Sequence, residues 1–345
     1  MTFAIPNGST LWKGSDFTSK KDVTLTLDRA AVDAILPDMR RLAAREGAVT
    51  DIPPEDMPTL PFADQVEQAR EILVSGRGMV ILSGFPVEDL GQREIETFYW
   101  VVGHRLGTPV SQSVLGDRLG HVMDVSGKDV TARAYRNSNE LTPHSDPGDL
   151  LSFLCLRPAI RGGESLFASS HMVHEIMREE RPDLLARLYR GYHWHRFGEQ
   201  PDGFDPITPR RVPVFSEKDG LLSCRIVRQY IEIAADEDPA CALDDVDREA
   251  LDMFDALAAR EDVAFRFTLA AGEAILANNY TVLHARTAFE DGPTEAEKRH
   301  LLRLWLRTDP PRPVAPDVYI YGPGVFGIPP KAGAQPVYQH RVTVN

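Results

Sequence analysis

Across the first hundred residues the apolar positions recur at helical spacing. Val32, Ile35, Leu36, Met39 and Leu42 form one stripe behind Asp28 as N-cap, which predicts a helix over 28–45. Four prolines (Pro53, Pro54, Pro58, Pro61) then make 48–61 a loop or linker. Phe62, Val66, Ala69 and Leu73 stand at i, i+4, i+7 and i+11, so a second helix follows and ends at Gly76 and Gly78. Met79-Val80-Ile81-Leu82 reads as a short buried strand, and Ile95, Phe98, Tyr99, Val102 and Leu106 as one face of a third helix. From about 108 to 309 the pattern changes to short strand-like runs separated by Gly/Pro/Asp turns. Two helices interrupt it, one near 168–178 and one near 244–260 with Val246, Ala250, Met253 and Leu257 as its stripe. Helices in front and many strands behind predict an α+β fold, a sandwich or jelly roll with helices packed outside. The expected organisation is an N-terminal helix and Pro-rich linker packed on the core (1–61), a main domain (62–309) and a tail (310–345) that wraps the surface or covers a pocket.

With 345 residues, 43% apolar and 26% charged, the chain is neither disordered nor collagen-like. Thirty-eight Lys+Arg against 51 Asp+Glu leave a net charge of −13, which argues against nucleic acid or an anionic membrane as the main partner. A pocket for a small anion stays open, because it needs only two or three local cations. Cys155, Cys224 and Cys241 show no CxxC spacing, which disfavours a zinc knuckle or a disulfide framework and suits a reducing compartment. The first residues lack a charged start followed by an apolar stretch, so no signal peptide is expected. No 18-residue apolar run exists for a membrane span, and a cytoplasmic location is expected. Nothing sets the oligomeric state; a homo-oligomer remains open.

The segment Leu141-Thr-Pro-His144-Ser-Asp146-Pro-Gly148-Asp149 carries the most chemistry. His144 and Asp146, two apart, share a face in extended structure. One offers an imidazole nitrogen and the other an anionic oxygen, a mixture suited to a divalent metal of intermediate hardness. Far downstream, His284 lies among apolar residues on an expected strand. Two histidines and one carboxylate on one side of a metal would leave positions open for substrate and O2, as in non-haem Fe(II) oxygenases. An H-x-D pair taken alone equally describes a histidine in a turn beside a capping aspartate. The run Arg299–Arg307 alternates: His300, Leu302, Leu304 and Leu306 face one way, Arg299, Leu301, Arg303, Trp305 and Arg307 the other. Those arginines either meet solvent or line a cavity as a carboxylate clamp, for which the guanidinium fork is shaped.

Two other histidine groups compete. His193, His195 and Glu199 resemble part of a cupin metal motif, without its flanking glycines. His171 and His174 lie at i and i+3 on an expected helix, and with no HExxH pattern they read as packing or surface residues.

The order HSD at 144–146, GGESLFAS at 162–169, AGEAILANN at 271–279, LHAR at 283–286 and RHLLRLWLR at 299–307 resembles the Fe(II)/2-oxoglutarate dioxygenases of the taurine dioxygenase (TauD/TfdA) family, over roughly residues 78–309. The resemblance implies a double-stranded β-helix (jelly roll) core with flanking helices, ferrous iron, and 2-oxoglutarate and O2 as co-substrates. It implies His144, Asp146 and His284 as iron ligands and Arg299 as the holder of the distal carboxylate of 2-oxoglutarate. Ser165 stands where the family usually has a threonine, and its hydroxyl can make the same hydrogen bond. Arg303 matches a residue that holds the taurine enzyme's sulfonate or else lies near the co-substrate. Glu273 replaces a more usual aspartate in a turn and reads as structural. The carboxylate of H-x-D, where halogenases have H-x-G, favours hydroxylation over halogenation. The implied reaction decarboxylates 2-oxoglutarate to succinate and CO2 while an unactivated C–H bond of a small molecule is oxidised, with no catalytic residues beyond the metal ligands. Asn139, Glu140, Arg196 and Arg228 are further candidates for substrate contact. With Glu140 and Arg303 together the substrate would be zwitterionic or acidic. Residues 127–140 and the tail are candidate lids. A non-catalytic jelly-roll binding protein is the remaining alternative.

Overall fold

The computed structural model describes residues 3–6, 8–124, 138–322 and 324–334. The front half carries β1 (Thr24–Thr26), α1 (Arg29–Ala43), α2 (Ala63–Val74), β2 (Met79–Ser83), α3 (Gln92–Leu106), β3 (Thr108–Pro109), β4 (Gly120–Val122), β5 (Leu141–His144) and β6 (Leu150–Arg157). Then come β7 (Arg161–Gly162), β8 (Ser165–Ser169), α4 (Ser170–Glu180), α5 (Pro182–Arg190), β9 (Phe215–Lys218), β10 (Leu221–Cys224) and α6 (Arg228–Glu237). The last elements are α7 (Asp245–Ala259), β11 (Ala264–Phe267), β12 (Glu273–Asn278), β13 (Val282–Arg286), β14 (Phe289–Glu290) and β15 (His300–Arg307).

Two sheets form the jelly roll: a larger one ordered β1-β2-β12-β6-β15-β3 with β4 also on β15, and a smaller one ordered β11-β8-β13-β5. Strand alternation builds the layers. From the larger sheet, Val80, Leu82, Leu276, Leu302, Leu304 and Leu306 pack under α1, α2 and α3. The alternate residues Met79, Ile81, Ile275, Ala277 and Leu301 meet Phe167, Phe265 and Phe267 of the smaller sheet. The smaller sheet's outer side is covered by α4, α5 and α7 through Val173, Met177, Leu184, Leu188, Leu251 and Phe254. The result is helices, sheet, sheet, helices, with the inter-sheet space at the centre.

The helices predicted at the front are present. Asp28 caps α1 by accepting from Ala31 N at 2.8 Å, and all five stripe residues are buried. Two short helices were not anticipated, α5, which buries Leu184, Leu185 and Leu188, and α6, which buries Ile231, Ile233 and Ala234. The helix expected from 168 starts at Ser170, because Ser165–Ser169 is strand β8, and the Ser169 hydroxyl accepts from Met172 N at 3.0 Å to start the helix. On α7 the buried face is Ala250, Leu251, Phe254, Leu257 and Ala258; Val246 is exposed, so the predicted stripe was rotated by about one position. Of the described residues beyond 309, Ile320, Tyr321 and Ile328 join the core beneath α4–α7. Glu273 has a structural role: its carboxylate accepts from Ala270 N in the turn and from Lys20 Nζ, both at 2.7 Å. The three cysteines are buried and free. Among the described residues, no helix is long and apolar enough to cross a membrane.

Candidate metal centre

Strand pairing brings the first two donors together. β5 runs antiparallel to β13 with His144 directly opposite His284, and such opposed side chains on one face are within contact distance. Their ring centroids are 4.2 Å apart. Asp146 lies just past the end of β5, where the chain is clamped from both sides. Ser145 N donates to Ile226 O at 2.9 Å, and Asp146 N donates to Asn279 Oδ1 at 3.1 Å. Asn279 Nδ2 returns a bond to Gly148 O at 3.0 Å, and Asn279 N donates to Asp149 O at 2.9 Å. One ligand atom from each of His144, Asp146 and His284 then lies within 4.8 Å of the other two, the one such group among the described residues.

The protonation states favour a cation. His144 Nδ1 lies 2.7 Å from Thr142 O, which places the proton on Nδ1 and leaves the Nε2 lone pair available. Burial, with His144 alongside, pushes His284 down to about 3, so its imidazole is neutral near pH 7. Burial raises the Asp146 carboxyl, but Arg303, His284, His144 and the Trp305 N–H outweigh it and hold the group below the usual carboxylate range. Trp305 Nε1 donates to Asp146 Oδ2 at 2.8 Å, and Arg303 Nη1 stands 3.6 Å from the same oxygen. Gln112 fixes Arg303 by accepting from its Nε at 2.6 Å and donating to its backbone carbonyl at 2.9 Å.

A cavity between the sheets adjoins these groups. Its polar lining is His144, Ser165, His284, Arg286, Arg299 and Arg303, and the remainder is apolar. Arg299 is 5% exposed, its guanidinium 5.1 Å over the Phe289 ring, and its Nη1 is buried with no hydrogen-bond partner among the described residues. A buried unpaired guanidinium nitrogen is costly, so a carboxylate in the cavity fits it. Gly163 lets the chain pass: a Cβ there, at φ +68°, would sit 3.3 Å from Arg299 Nε. Arg286 pairs across the ladder with Ser165 and lies 4.7 Å over Phe289. Burial and the neighbouring Arg299 push it down to about 10. Two imidazoles and a carboxylate on one side, with an open cavity on the other, fit ferrous iron with free positions. The Nη1 of Arg299 fits the distal carboxylate of a keto acid.

Other expected contacts lie elsewhere. Arg196 donates to the carbonyls of Ile320, Asp205 and Ile207, and Arg228 to Glu232, Asp252 and Asp255; neither lines the cavity, because each guanidinium already ties loops or helices together. Asn139 and Glu140 are exposed and do not line the cavity, although Asn139 O accepts from Arg286 Nη2. The cupin-like set does not converge. His193 Nδ1 bonds Thr208 O at 2.8 Å, His195 lies 3.2 Å from Glu237, and Glu199 accepts from the Tyr321 hydroxyl at 2.6 Å. His171 and His174 are packing residues, bonded to Thr10 and Leu222 and to Tyr189 respectively. Of the candidate lids, 125–137 and 335–345 lie outside the described residues. Sequence reasoning gave no role to Gln112, Asn279, Arg286 or Trp305. Arg286, Asn279 and Trp305 lie within the ordered motifs LHAR, AGEAILANN and RHLLRLWLR, whereas Gln112 had no signal.

Comparison with known proteins points the same way. A model of the taurine catabolism dioxygenase TauD, TfdA family matches residues 39–305. FR-33289 synthase of Streptomyces rubellomurinus is 31% identical over 309 residues, 88% of this chain and 90% of that one. The taurine hydroxylase-like protein SAT17 of Stachybotrys chartarum is 27% identical over 319 residues, covering 86% and 78%. Asparagine oxygenase, solved with Fe(II), 3-hydroxyasparagine and succinate, superposes with TM-score 0.60 at 19% identity, over 82% of this chain and 93% of that one. The non-haem iron oxygenase OrfP, solved with Fe and alpha-ketoglutaric acid, gives 0.59 at 16%, over 82% and 93%.

Proposed function

Because the chain belongs to the taurine catabolism dioxygenase TauD, TfdA family, we propose that His144, Asp146 and His284 hold its ferrous iron and that Arg299, with Ser165, holds the distal carboxylate of its 2-oxoglutarate. The chain is a dioxygenase acting on a small molecule. The observation that carries the site reading is the in-register pairing of His144 with His284 beside a charged, clamped Asp146.

Bound iron, 2-oxoglutarate and O2 supply the oxidising power, with succinate and CO2 as co-products and a C–H bond of the substrate as the target. The chain's own task is to bind, orient and exclude water. His144 is oriented through its Nδ1 by Thr142 O, and His284 presents a neutral imidazole. Asp146 brings the single negative charge, kept ionised by Arg303. Phe153, Phe167, Leu269 and Ile275 make the rest of the cavity apolar, which strengthens each polar contact in it. No side chain need act as nucleophile or general base.

For the substrate we propose a small acid or zwitterion. Among the described residues three arginines (Arg286, Arg299, Arg303) line the cavity and no carboxylate does, which favours an acidic group on the substrate over a pairing of Arg303 with Glu140. The hydroxy amino acids bound in other structures of this fold, 3-hydroxyasparagine in asparagine oxygenase and (3S)-hydroxy-L-Arg in an OrfP mutant, are in keeping with that class. The buried free cysteines suit a cytoplasmic setting. Residues 1–61 and 310–345 are best taken as accessories to one catalytic domain. The test is Fe(II)-dependent conversion of 2-oxoglutarate to succinate, expected in the wild type and absent in His144→Ala. Equal succinate from the two proteins would refute the ligand assignment.

A further inference from the structure

We infer that Trp305 is a positioning residue for the metal centre: its indole N–H fixes the Asp146 carboxylate in the orientation that binds the ion through one oxygen. This rests on the assignment of Asp146 as a ligand.

A carboxylate has two oxygens and rotates about its Cβ–Cγ bond. A metal site that must keep positions open for other molecules needs it to present one oxygen only. Asp146 is buried, and its Oδ2 accepts from Trp305 Nε1 at 2.8 Å. That donor occupies one lone-pair direction and sets the plane of the group. The indole itself is held firmly. Trp305 is 2% exposed on the inward face of β15, its backbone opposite Leu151 of β6. Arg303 lies 4.6 Å over its ring. Gly148, two residues past Asp146, lets the strand approach: a Cβ there would sit 2.9 Å from Trp305 Cβ. The turn that carries Asp146 and the strand that carries its donor are therefore fitted to each other. Arg303, by contrast, is 3.6 Å from the same oxygen, which supplies charge without fixing direction. Trp305 makes no side-chain hydrogen bond to His144 or His284, so its hydrogen-bonded path to the metal site runs through Asp146.

The experiment replaces Trp305 by Phe, and separately by the benzothienyl analogue of tryptophan, in which sulfur stands for the N–H and the shape is kept. Fe(II) and Co(II) dissociation constants are measured by anaerobic titration, with thermal unfolding as the control for folding. Both variants are expected to bind either ion roughly tenfold to a hundredfold more weakly. The Co(II) absorption bands should also shift, because the carboxylate can then bind through both oxygens. Trp305→His, which restores a ring N–H, should recover part of the affinity. Wild-type affinity in the analogue protein would overturn the inference, even if Trp305→Phe fails to fold. Asp146→Ala separates the two claims. If it binds metal normally, the ligand assignment fails; if it loses metal while the analogue protein does not, only the role of Trp305 fails.

Discussion

His144 and His284 face each other across the β5–β13 ladder, with Asp146 beside them. His193 and His195 lie along a single segment outside the named strands, which carries the isolated bridges Tyr192↔Val212 and His195↔Ile207. The residue types are nearly the same in the two places. What differs is where the nitrogens are directed. In the first place one nitrogen of His144 is tied to a carbonyl, while Asn279 holds the backbone of Asp146 and Trp305 holds its carboxylate. In the second, His193 bonds Thr208 O, His195 accepts from Phe197 N and meets Glu237, and Glu199 is held by Tyr321. A metal site is thus a matter of register and of the neighbours that orient each donor, more than of an H-x-H or H-x-D string.

The sharpest way to break that comparison is to exchange the losses. His144→Ala or Asp146→Ala should abolish equimolar Fe(II) binding and reduce succinate formation to background, whereas His193→Ala should leave both unchanged; metal analysis of the purified proteins decides it. Next in size is Arg299→Ala. Losing a charged, buried pairing worth about 1.5–3 kcal/mol per hydrogen bond should raise KM for 2-oxoglutarate by one to two orders of magnitude or more while Fe(II) affinity stays put. Equal loss of both would mean the cavity, rather than the keto acid, needs that arginine. Asn279→Ala should leave Asp146 N and Gly148 O without partners, weakening metal binding about tenfold and costing about 2 kcal/mol or more of unfolding free energy. Denaturant titration with and without metal would show both effects.

The smallest expected effect concerns His171, a histidine that binds no ion. Burial, with Arg312 nearby, pushes it down to about 3, well below the ordinary value near 6.5. The folded chain therefore resists a proton that the unfolded chain takes up. Its stabilising contribution is complete above about pH 6.5 and is lost as the pH falls toward 3, by at most about 1.4 kcal/mol per unit. His171→Asn should flatten the fall in stability between pH 7 and 5; an unchanged slope would assign the acid sensitivity to other groups.

The parts of this account that could be read from the chain are those with local periodicity or ordered motifs. The stripe of α1, the alternation of β15 and the sequence of HSD, LHAR and RHLLRLWLR segments were legible because each repeats a simple geometric rule. The rotated face of α7 was not, because Val246 and Met253 continue an apolar pattern while Leu251 and Phe254 fill the core. Nor were α5 and α6, although α5 buries Leu184, Leu185 and Leu188 at helical spacing. Arg196 and Arg228 looked like pocket residues, since an arginine's partners are set by loops and helices far along the chain. Asn279, Gln112 and Trp305 escaped for the same reason. Their work consists of hydrogen bonds to residues more than a hundred positions away, and nothing in a linear pattern marks such a bond.

Crystals grown anaerobically with Fe(II) and 2-oxoglutarate, measured on either side of the iron absorption edge, would place the ion directly. One anomalous peak within bonding distance of His144, Asp146 and His284, with the keto acid's far carboxylate on Arg299, is the predicted result. A peak beside His193 and His195, or iron ligated by fewer than two of the three named side chains, would contradict the account.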